Sequence, residues 1–190
     1  MTSTQIVLLV FLAIVVIAVG IAVGARRTAL RRRFGPEYDR IAEERHSRIA
    51  ADRELADRQR RRKDLQLRAI ATGARQRFVQ RWRSVQAQFV DDPTGAVVAG
   101  DALVTELVGA RGYPTRDYED QLALLSVEHA RTLGSYREAH EIFLRAKRGD
   151  ATTEDLRQAL VDYRELFADI LGGQHAIEPA TEAPTARAGR

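Results

Sequence analysis

The chain has 190 residues, 45% of them apolar and 29% charged, with a net charge of +4 and no cysteine. The missing cysteine excludes disulfides, cysteine nucleophiles, cysteine zinc sites, iron–sulfur clusters and a lipidated cysteine anchor. Neither GxxxxGK[ST] nor GxGxxG occurs, so no sequence motif cradles a nucleotide phosphate.

Charge is distributed unevenly along the chain. Residues 1–25 carry none, residues 26–63 hold fourteen basic and seven acidic side chains, and residues 64–190 sum to −3. A basic neck therefore joins an apolar N-terminus to a slightly acidic body. The high isoelectric point belongs to the neck and does not make the body a nucleic-acid domain.

Ile6 to Ala25 reads IVLLVFLAIVVIAVGIAVGA. Twenty helical residues span about 30 Å, the thickness of a bilayer core. A transmembrane helix over 6–25 is predicted. The rival is a secretory signal peptide, for which Val23-Gly24-Ala25 would serve as a cleavage motif. Against it stand the length of the run, the absence of a basic residue before Ile6, and Arg26-Arg27 directly after the run. Arg26, Arg27, Arg31, Arg32 and Arg33 follow the span, whereas residues 1–5 hold no basic side chain. The positive-inside rule then places the short N-terminus outside the cell membrane and the body in the cytoplasm, with these arginines against anionic headgroups. Gly20 and Gly24 form a GxxxG pair, which would let two spans pack closely as a homodimer.

Phe34-Gly35-Pro36 should end that helix and start another, since proline suits a first helical position. From Glu37 to Lys63 the chain is helix-prone, dense in charge, and thin in apolar residues (Tyr38, Ile41, Ile49, Leu55). A solvated helical stalk is predicted there. The competing reading is a weak coiled coil, because Ile41, Arg48 and Leu55 share heptad spacing. Arg58 to Lys63 (RQRRRK) resembles a phosphate-binding run, but no aromatic residue interleaves with it, so nucleic acid is not an expected partner.

The body over 64–171 is predicted to be a small helical bundle that folds alone from about residue 73. Leu65, Leu67 and Ile70 alternate briefly before a helix opening at Thr72-Gly73, whose stripe is Phe78, Trp82, Val85 and Phe89. Asp92 and Pro93 mark the next N-terminus, and Ala96, Val97, Leu103, Val104, Leu107 and Val108 continue that helix. A turn at Arg111-Gly112-Tyr113-Pro114 precedes a helix from about Asp117 to Leu125. Another runs from about Ala130 to Arg148 with Leu133, Tyr136, His140, Phe143 and Leu144 on one side, ending at Gly149. Thr152 to Asp155 resembles a capping box for a last helix carrying Leu156, Leu160, Tyr163, Phe167, Ile170 and Leu171. Residues 172–190, rich in Ala, Pro, Thr and Glu, read as a disordered tail. The fold class is thus all-α: transmembrane helix, charged helical stalk, helical bundle and tail.

The segments RRRFGPEYDR (31–40), WRSVQAQFVDDP (82–93), RGYP (111–114), SVEH (126–129) and TTEDLRQALVDYRELF (152–167) together resemble an uncharacterised family of single-span bacterial membrane proteins from high-GC genomes. The resemblance covers about Arg31 to Leu171. It implies an architecture and, because that family has no assigned activity, no catalytic residue. The chain departs from it at 69–73, where Ala69 and Gly73 stand in place of prolines.

Catalytic and metal chemistry find no constellation. The four histidines lack a partner histidine at i+3 or i+4, so neither a metal nor another cofactor is expected. Ser126, Glu128 and His129 sit together, but no nucleophile-elbow pattern surrounds them and Ser126 reads as a helix cap. The expected function is a non-enzymatic, membrane-tethered interaction or scaffold protein with an unidentified protein partner. Arg111 and Tyr113 are the candidate partner-binding residues, a charged fork and an aromatic anchor on one turn. The alternative is an anionic-lipid or nucleic-acid binder acting through the 26–63 neck.

Overall fold

The structure, a computed structural model, describes residues 3–173. Met1, Thr2 and residues 174–190 of the predicted tail lie outside the described residues. Those described form eight α-helices and no strand. The chain divides into two compact units, and the division does not follow the sequence order.

Of the described residues, unit 1 holds 3–65 and 122–131. Its first helix, α1 (Ser3–Phe34), runs without interruption through the apolar segment and the arginines beyond it. The large apolar side chains described between Leu8 and Val23 are 40–68% exposed, so the chain itself offers them no core. Helix α1 is long and apolar enough to cross a membrane, and the same length and composition fit a signal sequence. Among its described side chains, those buried lie in the last turns, at Leu30 and Phe34.

Gly35 ends α1 as the sequence predicts. It takes φ +50°, its N–H reaches the Arg31 carbonyl at 2.9 Å, and Pro36 opens α2 (Pro36–Glu44) as the first helical residue. The predicted continuous stalk is not observed. Helix α2 stops at Glu44 and α3 (Arg48–Asp64) starts at Arg48. At the break His46 adopts φ +49°, its N–H reaches Glu43 O at 3.0 Å, and Ser47 N–H reaches Ala42 O at 3.2 Å. This is a Schellman motif with histidine in the left-handed position. Ser47 then caps α3, its hydroxyl accepting from Ala50 N–H at 3.3 Å.

The break also removes the heptad register and corrects the solvated reading. With a corner at 45–47, the few apolar residues of both helices converge. Tyr38, Ile41, Ala51 and Leu55 join Leu30, Phe34 and Val127 in one buried cluster. Burying side chains of this size contributes about 1.5–3 kcal/mol each, which offsets the thin apolar content of a charged segment.

Of the described residues, unit 2 holds 66–121 and 132–173. Its helices are α4 (Thr72–Gln88), α5 (Pro93–Arg111), α7 (Leu133–Arg148) and α8 (Thr153–Leu171). Helix α8 lies against both α5 and α7, and α4 lies against α5. The predicted caps are present. Asp92 accepts from Gly95 N–H at 2.8 Å, and Thr152 and Asp155 form a reciprocal capping box. Trp82 is 2% exposed and stacks on Phe167 with centroids 4.9 Å apart. The buried face of α7 is Leu133, Tyr136, Ala139, Ile142 and Ala146, with Leu144 exposed, so the predicted stripe is rotated toward the small residues.

Helix α6 (Tyr118–His129) starts in unit 2 and ends in unit 1. It is longer than the predicted 117–125 helix. Ser126 therefore lies inside a helix rather than capping one, and its hydroxyl donates back to Ala123 O at 2.6 Å. The bundle predicted over 64–171 is accordingly not one unit, because 122–131 belongs with the N-terminal helices.

Candidate functional site

Three places gather the polar residues that bear on function. The first is the foot of α1. Arg27, Thr28, Arg31 and Arg32 of α1, Tyr38, Asp39 and Ala42 of α2, and Arg48 of α3 line a cleft of about 350 Å³. Helical periodicity sets Arg27, Arg31 and Thr28 on one face, and the α2–α3 corner brings Arg48 to it. Two of the arginines have carboxylate partners: Arg27 Nε lies 3.3 Å from Asp52, and Arg31 lies 3.2 Å from Asp39. Tyr38 donates its hydroxyl to Asp52 at 3.0 Å. Burial first, and then this hydrogen bond, raise its pKa and keep the hydroxyl protonated. Arg32 and Arg48 have no ion pair among the described residues. With Asp39 and Asp52 counted, four guanidinium groups leave a net charge of +2 around the cleft.

The other members of the predicted membrane-interface set behave differently. Arg26 is exposed, whereas Arg33 donates to the Val127 carbonyl at 3.3 Å on another side of α1. Sequence reasoning missed Arg48, because fifteen residues separate it from Arg33 and only the corner at His46 brings it back. A broader depression of about 580 Å³ on α3 includes Arg45, Arg53 and Arg60, but Glu54 and Asp57 sit among them and offset the charge.

The basic run 58–63 is partly consumed within unit 1. Arg58 is 9% exposed and reaches Glu37 at 3.1 Å, Glu54 at 3.0 Å and the Ser126 hydroxyl at 3.3 Å. Arg62 pairs with Glu128. Glu37 is itself held by Arg40 at 2.8 Å. A run that reads as a phosphate-binding face thus supplies the polar centre of a small core. Ser126 and Glu128, which sit beside His129 in the sequence, serve those arginines.

The second place is the Arg111–Pro114 turn. Gly112, at φ +100°, closes α5, and a Cβ there would lie 2.8 Å from Gln66 O. Arg68 N–H donates to Arg111 O at 2.8 Å, and Arg111 Nη1 donates to Arg68 O at 2.6 Å. The 66–71 segment, which is neither helix nor strand, is therefore a strap pinned to this turn. Tyr113 is 3% exposed. The turn does not present the fork and anchor expected of it: Arg111 holds the strap and Tyr113 faces inward. Gly20 and Gly24, by contrast, meet nothing of this chain within 4 Å of where a Cβ would stand.

The third place has no counterpart among the sequence expectations. In unit 2 the Tyr163 hydroxyl donates to Asp101 Oδ1 at 2.7 Å, and His140 Nδ1 lies 3.1 Å from the same oxygen. Tyr118 stacks on the His140 ring at 4.0 Å, and Tyr136 meets Tyr163 edge-on at 5.9 Å. Burial raises the pKa of all three tyrosine hydroxyls, which keeps them neutral; Tyr163 donates to Asp101 and Tyr136 to Gln121 at 3.4 Å. The knot ties α5, α7 and α8 together. Asp101 is 39 positions from His140 and 62 from Tyr163, and no local spacing signals the knot. Among the described residues no group of three metal-ligating side chains occurs. Compared with known proteins, the chain matches no family model, no curated protein and no solved structure.

Proposed function

We propose that the protein is a single-span, membrane-tethered, non-enzymatic interaction protein, with its N-terminus outside and both units at the cytoplasmic face. The observation that carries this reading is α1 itself. The large apolar side chains described along its apolar stretch are exposed, and its basic end is built into the core of a folded unit. A signal peptide is removed from the protein it directs. Here cleavage after Ala25 would leave Leu30 and Phe34 on a nine-residue remnant of α1, although both are core residues of unit 1. The arginines also suit the negative end of the helix dipole and the cytoplasmic leaflet. In unit 2 the Asp101 carboxylate is taken up by the Tyr163 hydroxyl and the His140 ring, a structural tie between helices that supports a binding role over a catalytic one.

The chain has no cysteine, so single cysteines report topology cleanly. Ser3→Cys is expected to react with a membrane-impermeant maleimide in intact cells, and Ser84→Cys only after lysis. The opposite labelling pattern, or release of the full-length protein by alkaline carbonate, rejects the reading.

A further inference from the structure

We propose that the cleft formed by Arg27, Arg31, Arg32 and Arg48 binds the phosphate of a single anionic phospholipid headgroup. This rests on α1 spanning the bilayer.

Height is the first argument. The apolar run ends at Ala25, and a helix rises 1.5 Å per residue. Arg27 to Arg32 therefore lie about 3–10 Å beyond the hydrocarbon edge, which brackets an interfacial layer about 5–8 Å deep on each side. Asp52 reaches Arg27 at 3.3 Å, so the first half of α3 stands at the same level as the top of the cleft. Ile49, next to Arg48, is 59% exposed. An exposed apolar side chain beside an arginine at this height matches an interfacial anchor.

Chemistry is the second argument. Guanidinium groups present planar forks of N–H donors that suit phosphate oxygens. Asp39 and Asp52 position Arg31 and Arg27, while Arg32 and Arg48 have no carboxylate partner among the described residues. A net charge of +2 at the cleft suits an anionic headgroup over a zwitterionic one. The cleft's one aromatic ring, Tyr38, is 3% exposed, so no face is offered on which a base could stack. That disfavours a nucleotide or single-stranded nucleic acid as the source of the phosphate.

The test uses full-length protein in neutral detergent, titrated with phosphatidylglycerol or phosphatidylcholine, with bound lipid counted by native mass spectrometry. Wild type is expected to retain one phosphatidylglycerol in preference to phosphatidylcholine. Arg32→Gln with Arg48→Gln should weaken that retention about tenfold to thirtyfold, from roughly 1 kcal/mol per headgroup-facing arginine. Both side chains are exposed, and thermal melting checks that the fold persists. Arg53→Gln with Arg60→Gln removes the same charge outside the cleft and should change retention less than about twofold, as unlocalised surface charge does. Equal losses in the two double variants would reduce the effect to diffuse attraction and overturn the proposal, as would no loss in the cleft variant. Glycerol 1-phosphate is the soluble arm. Binding as tight as that of the lipid would make a free phosphate ester the ligand and reject the lipid. Because the titration is done in micelles, it reads the cleft without requiring a span, and carbonate extraction tests the span separately.

Discussion

Asp162 shows how a single carboxylate acts against a fold. It lies on α8 and is 4% exposed; Oδ1 accepts from Gln158 at 2.9 Å, and Oδ2 has no hydrogen-bond partner among the described residues. Burial raises its pKa above the ordinary value near 3.8, with Glu138 and Glu165 adding to the effect and Gln158 opposing it. The sign follows by linkage. The folded state holds this proton more tightly than the unfolded chain, so Asp162's favourable contribution is complete below the ordinary carboxylate range and is lost as pH rises through the raised pKa. Asp162→Asn is therefore expected to melt higher than wild type at pH 7, with the gain gone by about pH 3. Comparison at equal pH cancels Glu106 and Asp155, whose pKa values are lowered by Arg81 and by Thr152. A variant that melts lower at pH 7 would show that the charge has a partner worth keeping.

Among the elements, the α2–α3 corner has the most to gain from substitution. Three other helices, α5, α7 and α8, close on glycine at the left-handed position, and only here does a histidine take it. A Cβ in that conformation costs about 1 kcal/mol. His46→Gly is expected to stabilise the full-length protein by roughly 0.5–1 kcal/mol, read as a shift in the urea midpoint at unchanged slope. A loss of stability would mean that the His46 ring, whose Nδ1 lies 3.2 Å from Glu44 O, contributes more than the strain. The same histidine explains what could be read in advance. Helices α5 and α8 were legible because Asp92-Pro93 and Thr152–Asp155 announce their starts and their apolar residues recur on one face. The corner was not, since a histidine amid charged residues carries no stop signal. Without the corner, Ile41 and Leu55 read as too sparse to bury, and Arg48 as remote from the α1 arginines. Arg58 was hidden for a related reason: within RQRRRK nothing distinguishes the one arginine that turns inward toward Glu37. At Arg111–Pro114 the turn and its glycine were legible, but the hold of Arg111 on Arg68, 43 positions away, was not, because no local sequence signal marks it.

Across the whole molecule, α6 changes what can be removed. Val127 belongs to the cluster with Leu30, Phe34 and Leu55, and Ser126 accepts from Arg58, so residues 122–131 depend on helices far upstream. A fragment starting near residue 73 would carry residues 122–131 without the helices they pack against. A fragment of residues 66–173 should self-associate on size exclusion and unfold with a broad transition, whereas residues 26–173 should be monomeric and cooperative. A sharp two-state transition in the shorter fragment would show that unit 2 tolerates an unsupported α6. The same division explains why the domain boundary was illegible: sequence order invites a contiguous cut, and the second half of α6 returns to a unit whose upstream part ends at Leu65.

The burial of Leu30 and Phe34 has a mechanical consequence. No slack chain separates the apolar stretch of α1 from unit 1, because the helix that leaves the apolar run is the helix that enters the core. Where α1 spans a bilayer, its tilt is also the tilt of unit 1. A span answers a thinner hydrocarbon layer by leaning further, at a cost of fractions of a kcal/mol per ångström of mismatch. Unit 1 would then lean with it, and the inclination of the cleft to the membrane surface would follow bilayer thickness as a lever follows its fulcrum.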